Sequence, residues 1–181
     1  MPNSLSKIFT LILAVLLLYY VPTYQSFHKQ DDIVSQNVKQ ATTNFVDNVR
    51  MKGYITPQMY EDFQRELSVG TKYLFKTEIK HEQKVYTPVY TNANVFTGEY
   101  TVDYDEYYWS QIEKLLFDES SSIPKEDRMY KLQQGDFFSV HVENVTKSYS
   151  SMMYDFLTGG VGGDDIFISY PYGGMVLNED Y

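Results

Sequence analysis

The side chains able to do chemistry fall into a few short stretches of the 181-residue chain. The imidazoles are His28, His81 and His141. No two of them share helical i,i+4 spacing, and no His-Glu-x-x-His pattern exists, so the zinc-protease arrangement is absent. His81 sits among Lys80, Glu82 and Lys84, and His141 falls on the polar side of an alternating segment. Both read as ordinary exposed histidines. Asp103, Asp105 and Glu106 lie among Tyr104, Tyr107, Tyr108 and Trp109. Carboxylates between aromatic rings are what a sugar-binding groove offers, so the four aromatics mark a candidate binding surface. The competing reading makes Asp105 a helix cap and places the acids in a favourable first turn. A hydrolase would need Asp103 and Glu106 to converge. Gly159 to Gly163 lacks the Lys-Ser/Thr of a phosphate loop, and Asp164-Asp165 directly after it would repel phosphate. It reads as a flexible loop. Asn144-Val145-Thr146 matches the N-glycosylation pattern. No nucleophile-elbow or Ser-x-x-Lys motif is present. The expectation is a non-enzymatic protein with no cofactor, metal or small-molecule substrate.

Composition narrows the classes further. Cysteine is absent, which removes disulfides, Cys-ligated metals and thiol catalysis. The chain carries 15 Lys+Arg against 24 Asp+Glu, a net charge of −9. Lys7 is the only charge before Lys29, so the remainder holds 14 basic and 24 acidic residues, −10. Such a body is repelled by phosphate backbones, and nucleic acid is excluded as a partner. Hydrophobic residues make up 43%, enough for a packed core. Eighteen tyrosines favour β-structure and amphipathic surfaces.

The elements that must position these groups begin with an apolar run. From Leu5 to Val21 the sequence is interrupted only by Ser6, Lys7 and Thr10, and Ile8, Phe9, Leu11, Ile12, Leu13, Val15, Leu16, Leu17, Leu18 and Val21 form a candidate membrane anchor. A helix of that length spans roughly 25 Å, at the short end for a bilayer core. Tyr19, Tyr20 and Tyr24 follow as an aromatic belt, and Lys7 marks the cytoplasmic end. A cleaved export signal is the competing reading. No Ala-x-Ala site is present, and Thr23-Tyr24-Gln25-Ser26 is a poor substitute, which favours retention. Residues 1–27 are expected to anchor the chain and residues 28–181 to form one domain outside the cell membrane.

Beyond the anchor, Val34, Val38, Ala41, Phe45 and Val49 step by four, three, four and four, one apolar helical stripe. Gly53 supplies its stop, and Pro22 at the junction predicts a kink or short break. The stripe is expected to pack on its own domain. Thr56-Pro57 starts a short helix with Met59, Phe63 and Leu67 on one face. Period-two alternation then predicts strands over 73–80, 85–90 (an edge, from Pro88), 100–104 and 138–142, with a last strand at 166–170. Helices are predicted over 106–117, with Tyr108, Ile112, Leu115 and Leu116 inward, and around Tyr149, Met152, Met153, Phe156 and Leu157. The class is α+β: a long N-terminal helix, membrane-spanning then amphipathic, packed on a small antiparallel sheet with short helices.

This layout resembles the tight-adherence pseudopilins and related pilin-like proteins of Gram-positive bacteria. Three stretches are similar to such proteins: 43–60 (TNFVDNVRMKGYITPQMY), 135–144 (GDFFSVHVEN) and 172–176 (YGGMV). Two family features are missing: a Gly just before the apolar helix, since none precedes Gly53, and an early acid in that helix, since none precedes Asp31. The resemblance implies a single-pass, membrane-anchored subunit of a pilus, secretion or conjugation apparatus, with the membrane and other apparatus subunits as partners. A tethered receptor or adhesin head using its aromatic surface is the alternative.

Overall fold

The computed structural model describes residues 3–91, 95–160 and 167–178. Its spine is α1 (Asn3–Lys52), a 50-residue helix about 75 Å long. Pro22 does not break it. Proline has no N–H for the Leu18 carbonyl, and the adjacent Thr23 Oγ1 donates to the Tyr19 carbonyl at 2.8 Å. Gly53 stops the helix. It sits at φ 71°, a left-handed conformation that glycine adopts without a Cβ penalty, and its N–H closes on the Val49 carbonyl at 2.8 Å.

A two-residue strand, β1 (Tyr54–Ile55), leads into α2 (Pro57–Ser68). Thr56 caps α2 by accepting the Met59 N–H, with Pro57 at the first helical position. Then comes β2 (Phe75–Tyr90), one strand of 16 residues where periodicity alone suggested two. Pairing through His81 to Lys84 carries the strand across the intervening charged residues. It turns back into β3 (Phe96–Tyr108). The predicted helix start at Glu106 is replaced by strand, because Asp105 and Glu106 pair with Gln83 and Glu82 in the ladder. The helix α3 (Trp109–Leu116) begins only after Tyr108, buries Ile112 and Leu116, and leaves Leu115 and Tyr108 exposed.

A 3₁₀ turn (Lys125–Asp127) precedes β4 (Tyr130–Lys131), which pairs with β1. β5 (Phe137–Asn144), α4 (Tyr149–Thr158) and β6 (Ser169–Met175) complete the order. The last strand lies three residues later than alternation placed it, and most of the glycine-rich run, with Ile166, falls outside the described residues. The main sheet is antiparallel, in the order β3-β2-β5-β6. This is an α+β fold: a long helix on a small antiparallel sheet, with short helices around it.

The core lies between α1 and one face of that sheet. Val34, Val38, Ala41, Phe45 and Val49 are all buried there, with Phe138, Val140 and Val142 of β5 and Ile79 of β2 opposite. Phe45 stacks on Phe63 of α2, ring centroids 4.4 Å apart, and meets Phe138 edge-on at 6.1 Å. The sheet edge approaches α1 closely at Gly174, and Gly173 lies close against β5. A Cβ on Gly174 would stand 2.5 Å from the Arg50 guanidinium carbon, and one on Gly173 would stand 2.6 Å from Ser139 Cβ. Arg50 uses the space to donate Nε–H to the Met175 carbonyl at 2.9 Å and to pair with Asp47.

Asn144, the sequon residue, is buried at the end of β5. Its Oδ1 accepts the Phe167 and Ile168 N–H groups at 2.9 and 2.8 Å, and its Nδ2 donates to the Thr146 carbonyl. The amide is structural, and a glycan could be added there only by breaking those bonds.

Candidate functional site

Strand geometry separates the four aromatics proposed as one surface. Successive residues on a strand point to opposite faces, so Tyr104 and Tyr108 lie on the outer face of the sheet, away from α1. Tyr107 takes the inner face, stacked on His81 with centroids 5.6 Å apart. Trp109, already in α3, packs on Tyr60 of α2 at 4.0 Å and joins the core. The same alternation puts Asp103 and Glu106 on opposite faces. Asp103 accepts from Thr87 Oγ1, while Glu106 binds Lys80 and the Tyr108 hydroxyl, so the two acids do not converge.

What the register does assemble is a different surface. β5 pairs with β2 only as far as Glu82. The eight residues beyond, with their β3 partners, form a two-stranded ribbon reaching about 26 Å past the four-stranded part. Pairing of Tyr86 with Val102, Pro88 with Tyr100 and Tyr90 with Phe96 puts these six residues on one ribbon face, with Tyr104 beside Lys84 at its base. Tyr86 and Tyr100 are both 58% exposed. Phe96 bridges its neighbours, with centroids 5.9 Å from Tyr90 and 5.2 Å from Tyr100, and the Lys84 ammonium lies 4.9 Å from the Tyr86 ring centre. The opposite face carries Thr87, Glu99, Thr101 and Asp103 together with Val85 and Val89. The ribbon therefore gathers its aromatic rings on one exposed side, while the other mixes polar groups with two valines.

His81 is the second departure from expectation. It is 2% exposed, on the inner face of β2, because Thr77, Ile79 and His81 share the side facing α1. Its Nε2 lies 2.9 Å from Asp136 Oδ2, and its Nδ1 lies 2.7 Å from the Tyr130 hydroxyl. Asp136 also accepts the Lys84 and Gln133 N–H groups, taking the place of β5 where its pairing with β2 ends. We assign the Nε2 proton to the bond with Asp136, which already accepts two backbone N–H groups, and Nδ1 as the acceptor from Tyr130. Burial, with Tyr107 and Asp136 nearby, pushes the Tyr130 phenol up to about 12. A phenol held neutral is not an activated nucleophile. The chain Tyr130–His81–Asp136 ties β4, β2 and the 133–136 turn together, beside a groove of about 600 Å³ lined by Tyr107 and Gln133. Sequence spacing hid it, because the three residues are 49 and 55 positions apart in the pairs they form.

At the other end of the domain Asp31, the first acid in the chain, is buried and accepts from the Tyr73 hydroxyl at 2.6 Å and from Ser150 Oγ. The Tyr73 oxygen in turn accepts the Tyr149 N–H. His28 meets Tyr24 one turn earlier on α1, its Nε2 2.8 Å from the hydroxyl, and His141 lies 2.9 Å from Ser169 Oγ on the outer sheet face. Among the described residues no group of three or more His, Asp or Glu is placed to hold a metal ion.

The ten anchor residues, from Ile8 to Val21, are all exposed on the free half of α1. Among the described residues this is the one helix long and apolar enough to cross a membrane, and its apolar window is 0% buried. An export signal near the N-terminus would pass the same test. Nothing among protein-family models, curated proteins or solved structures matches the chain.

Proposed function

We propose that the protein is a non-enzymatic, membrane-anchored, pilin-like subunit of a bacterial cell-surface apparatus, of the pilus, secretion or conjugation type. Its N-terminus lies inside and its domain outside. One observation carries this reading: a single continuous helix is uncovered and apolar over its N-terminal window and is the spine of the folded domain over its second half. The charge distribution supports the orientation, with Lys7 at one end of the span and all 24 acids beyond the other. The stripe from Val34 to Val49 is occupied by its own domain. Contacts between subunits then fall to the apolar half of α1 or to the domain surface.

The test is the intact mass of the protein recovered from the membrane, sheared-surface and culture-medium fractions of its cells. An intact N-terminal segment is expected, and recovery in the sheared fraction would place it in filaments. A mass lacking everything before about Phe27 would make the helix an export signal and retire the anchored reading.

The aromatic face of the β2–β3 ribbon favours a second reading, a tethered binding module whose ribbon engages a partner outside the cell. The two differ in what the ribbon touches: another copy of this chain or a different molecule.

A further inference from the structure

The helix α4 has its most apolar surface in solvent. Phe156 is 86% exposed, and Leu157 and Met152 are 57% and 44% exposed. A short helix in a folded domain ordinarily turns such residues inward. Here the buried side is polar: Ser150 is the buried residue of α4, held by Asp31 of α1.

The position of α4 accounts for the inversion. Tyr149 packs on Phe27 of α1 with ring centroids 5.7 Å apart, and the same α1 face stays half-buried back through Tyr24, Thr23 and Tyr20, the last of these facing Tyr154. From Tyr149 to Tyr154 the helix advances about 7.5 Å while its contact on α1 moves back from Phe27 to Tyr20, about 10.5 Å. The two helices therefore run side by side in opposite directions. The next residues carry Phe156 about 3 Å and Leu157 about 4.5 Å beyond Tyr154, level with Leu18 and Leu17 of the apolar segment. Charge fits the same placement. α4 has no Lys or Arg, and its one acid, Asp155, is paired with Lys147 at 2.9 Å.

We propose that α4 is a second membrane contact, its Phe156–Leu157 end inserted into the outer leaflet of the bilayer beside the anchor. This rests on the anchored reading of α1. The occupant of the patch is lipid hydrocarbon and the interfacial layer above it, where amphipathic helices and aromatic rings settle. With no basic residue on the helix, the contact depends on apolar area and not on anionic headgroups. One tether leaves a domain free to swivel, whereas two contacts on one side fix its tilt, with Asp31, Tyr73 and Ser150 as the joint between them.

The chain has no cysteine, so single nitroxide labels can be placed cleanly in the full-length protein. Phe156→Cys, Leu16→Cys and Leu115→Cys, each at an exposed position, would be labelled and reconstituted in vesicles of phosphatidylcholine, with and without a quarter phosphatidylglycerol. Collision with oxygen and with a neutral nickel chelate is then measured by electron paramagnetic resonance. The expected result is oxygen-dominated, lipid-like accessibility at 156 as at 16, nickel-dominated accessibility at 115, and no change with phosphatidylglycerol. Lipid-like behaviour at 16 with nickel access at 156 overturns the proposal and leaves the anchor standing. Nickel access at 16 defeats the anchored reading itself. A label at 156 shielded from both reagents, or broadened by a second label nearby, shows a protein covering the patch and overturns the lipid assignment.

Discussion

At the scale of single residues, the buried polar groups act as joints between elements distant in sequence. Tyr130 is the clearest case, because its hydroxyl satisfies the one nitrogen of His81 that Asp136 leaves free. Tyr130→Phe keeps the ring and removes the donor. An unsatisfied buried acceptor costs about 1–3 kcal/mol, so the urea midpoint at pH 7 should fall correspondingly. The pH profile has a definite sign. The folded phenol titrates at about 12, above its ordinary 10.0, so the folded state holds its proton more tightly than the unfolded chain. The stabilisation is complete below pH 10 and is lost as pH rises through 12. Urea midpoints measured from pH 8 to 12 should therefore fall in the wild type and fall less steeply in Tyr130→Phe. Some alkaline loss should persist in the variant, because burial and the Asp31 hydrogen bond also raise Tyr73. Equal slopes in the two proteins would rule out Tyr130 as a source of the alkaline loss.

At the scale of elements, α1 has two unlike halves. Its apolar window is nowhere buried, and its second half buries a stripe against β5, β2 and α2. Val38 is completely buried in that stripe. Val38→Asp places an unpaired charge in the core, which costs several kcal/mol against a total stability of order 5–15. The expected outcome is loss of the cooperative thermal transition in circular dichroism. Leu115→Asp, on an exposed face of α3, should stay within about 0.5 kcal/mol of wild type. A folded Val38→Asp protein that merely lost its partners would instead place the stripe at a subunit interface. The stripe could be read from spacing because a 3.6-residue period and a one-sided environment agree. The extent of β2 and the start of α3 could not, since Glu82 to Lys84 and Asp105-Glu106 carry no apolar alternation. Their strand conformation comes from the ladder.

At the scale of the whole molecule, the apolar half of α1 and the β2–β3 ribbon stand at opposite ends. The Asp31–Tyr73 joint marks the anchor end of the sheet, and the ribbon leaves it beyond the level of His81 and Phe138. A photo-crosslinker at position 100 therefore samples the surface farthest from the apolar half of α1. In intact cells it should capture another copy of this chain if the protein packs as a pilin-like subunit, and a different molecule if the ribbon is a binding arm. A crosslinker at position 115 should capture neither. Mass spectrometry of the adducts distinguishes the outcomes, and an empty result at position 100 would remove the ribbon from both readings.

The sequence by itself determined the features that depend on neighbours along the chain. These are the apolar run before Pro22, the stripe from Val34 to Val49, the Thr56-Pro57 helix start, the stop at Gly53 and the alternation from Phe138 to Val142. Each is a local periodicity or a backbone preference, so the information lies within a few residues of the position it governs. Tertiary structure decided what depends on pairing. It separated Tyr104 and Tyr108 from Tyr107 and Trp109, collected Tyr86, Tyr90, Phe96 and Tyr100 onto one ribbon face, and buried His81 between Tyr130 and Asp136. It also turned the apolar side of α4 outward beside α1. A strand's register and a helix's neighbour are set by contacts many residues away, and a one-residue change of register would reverse every face assignment.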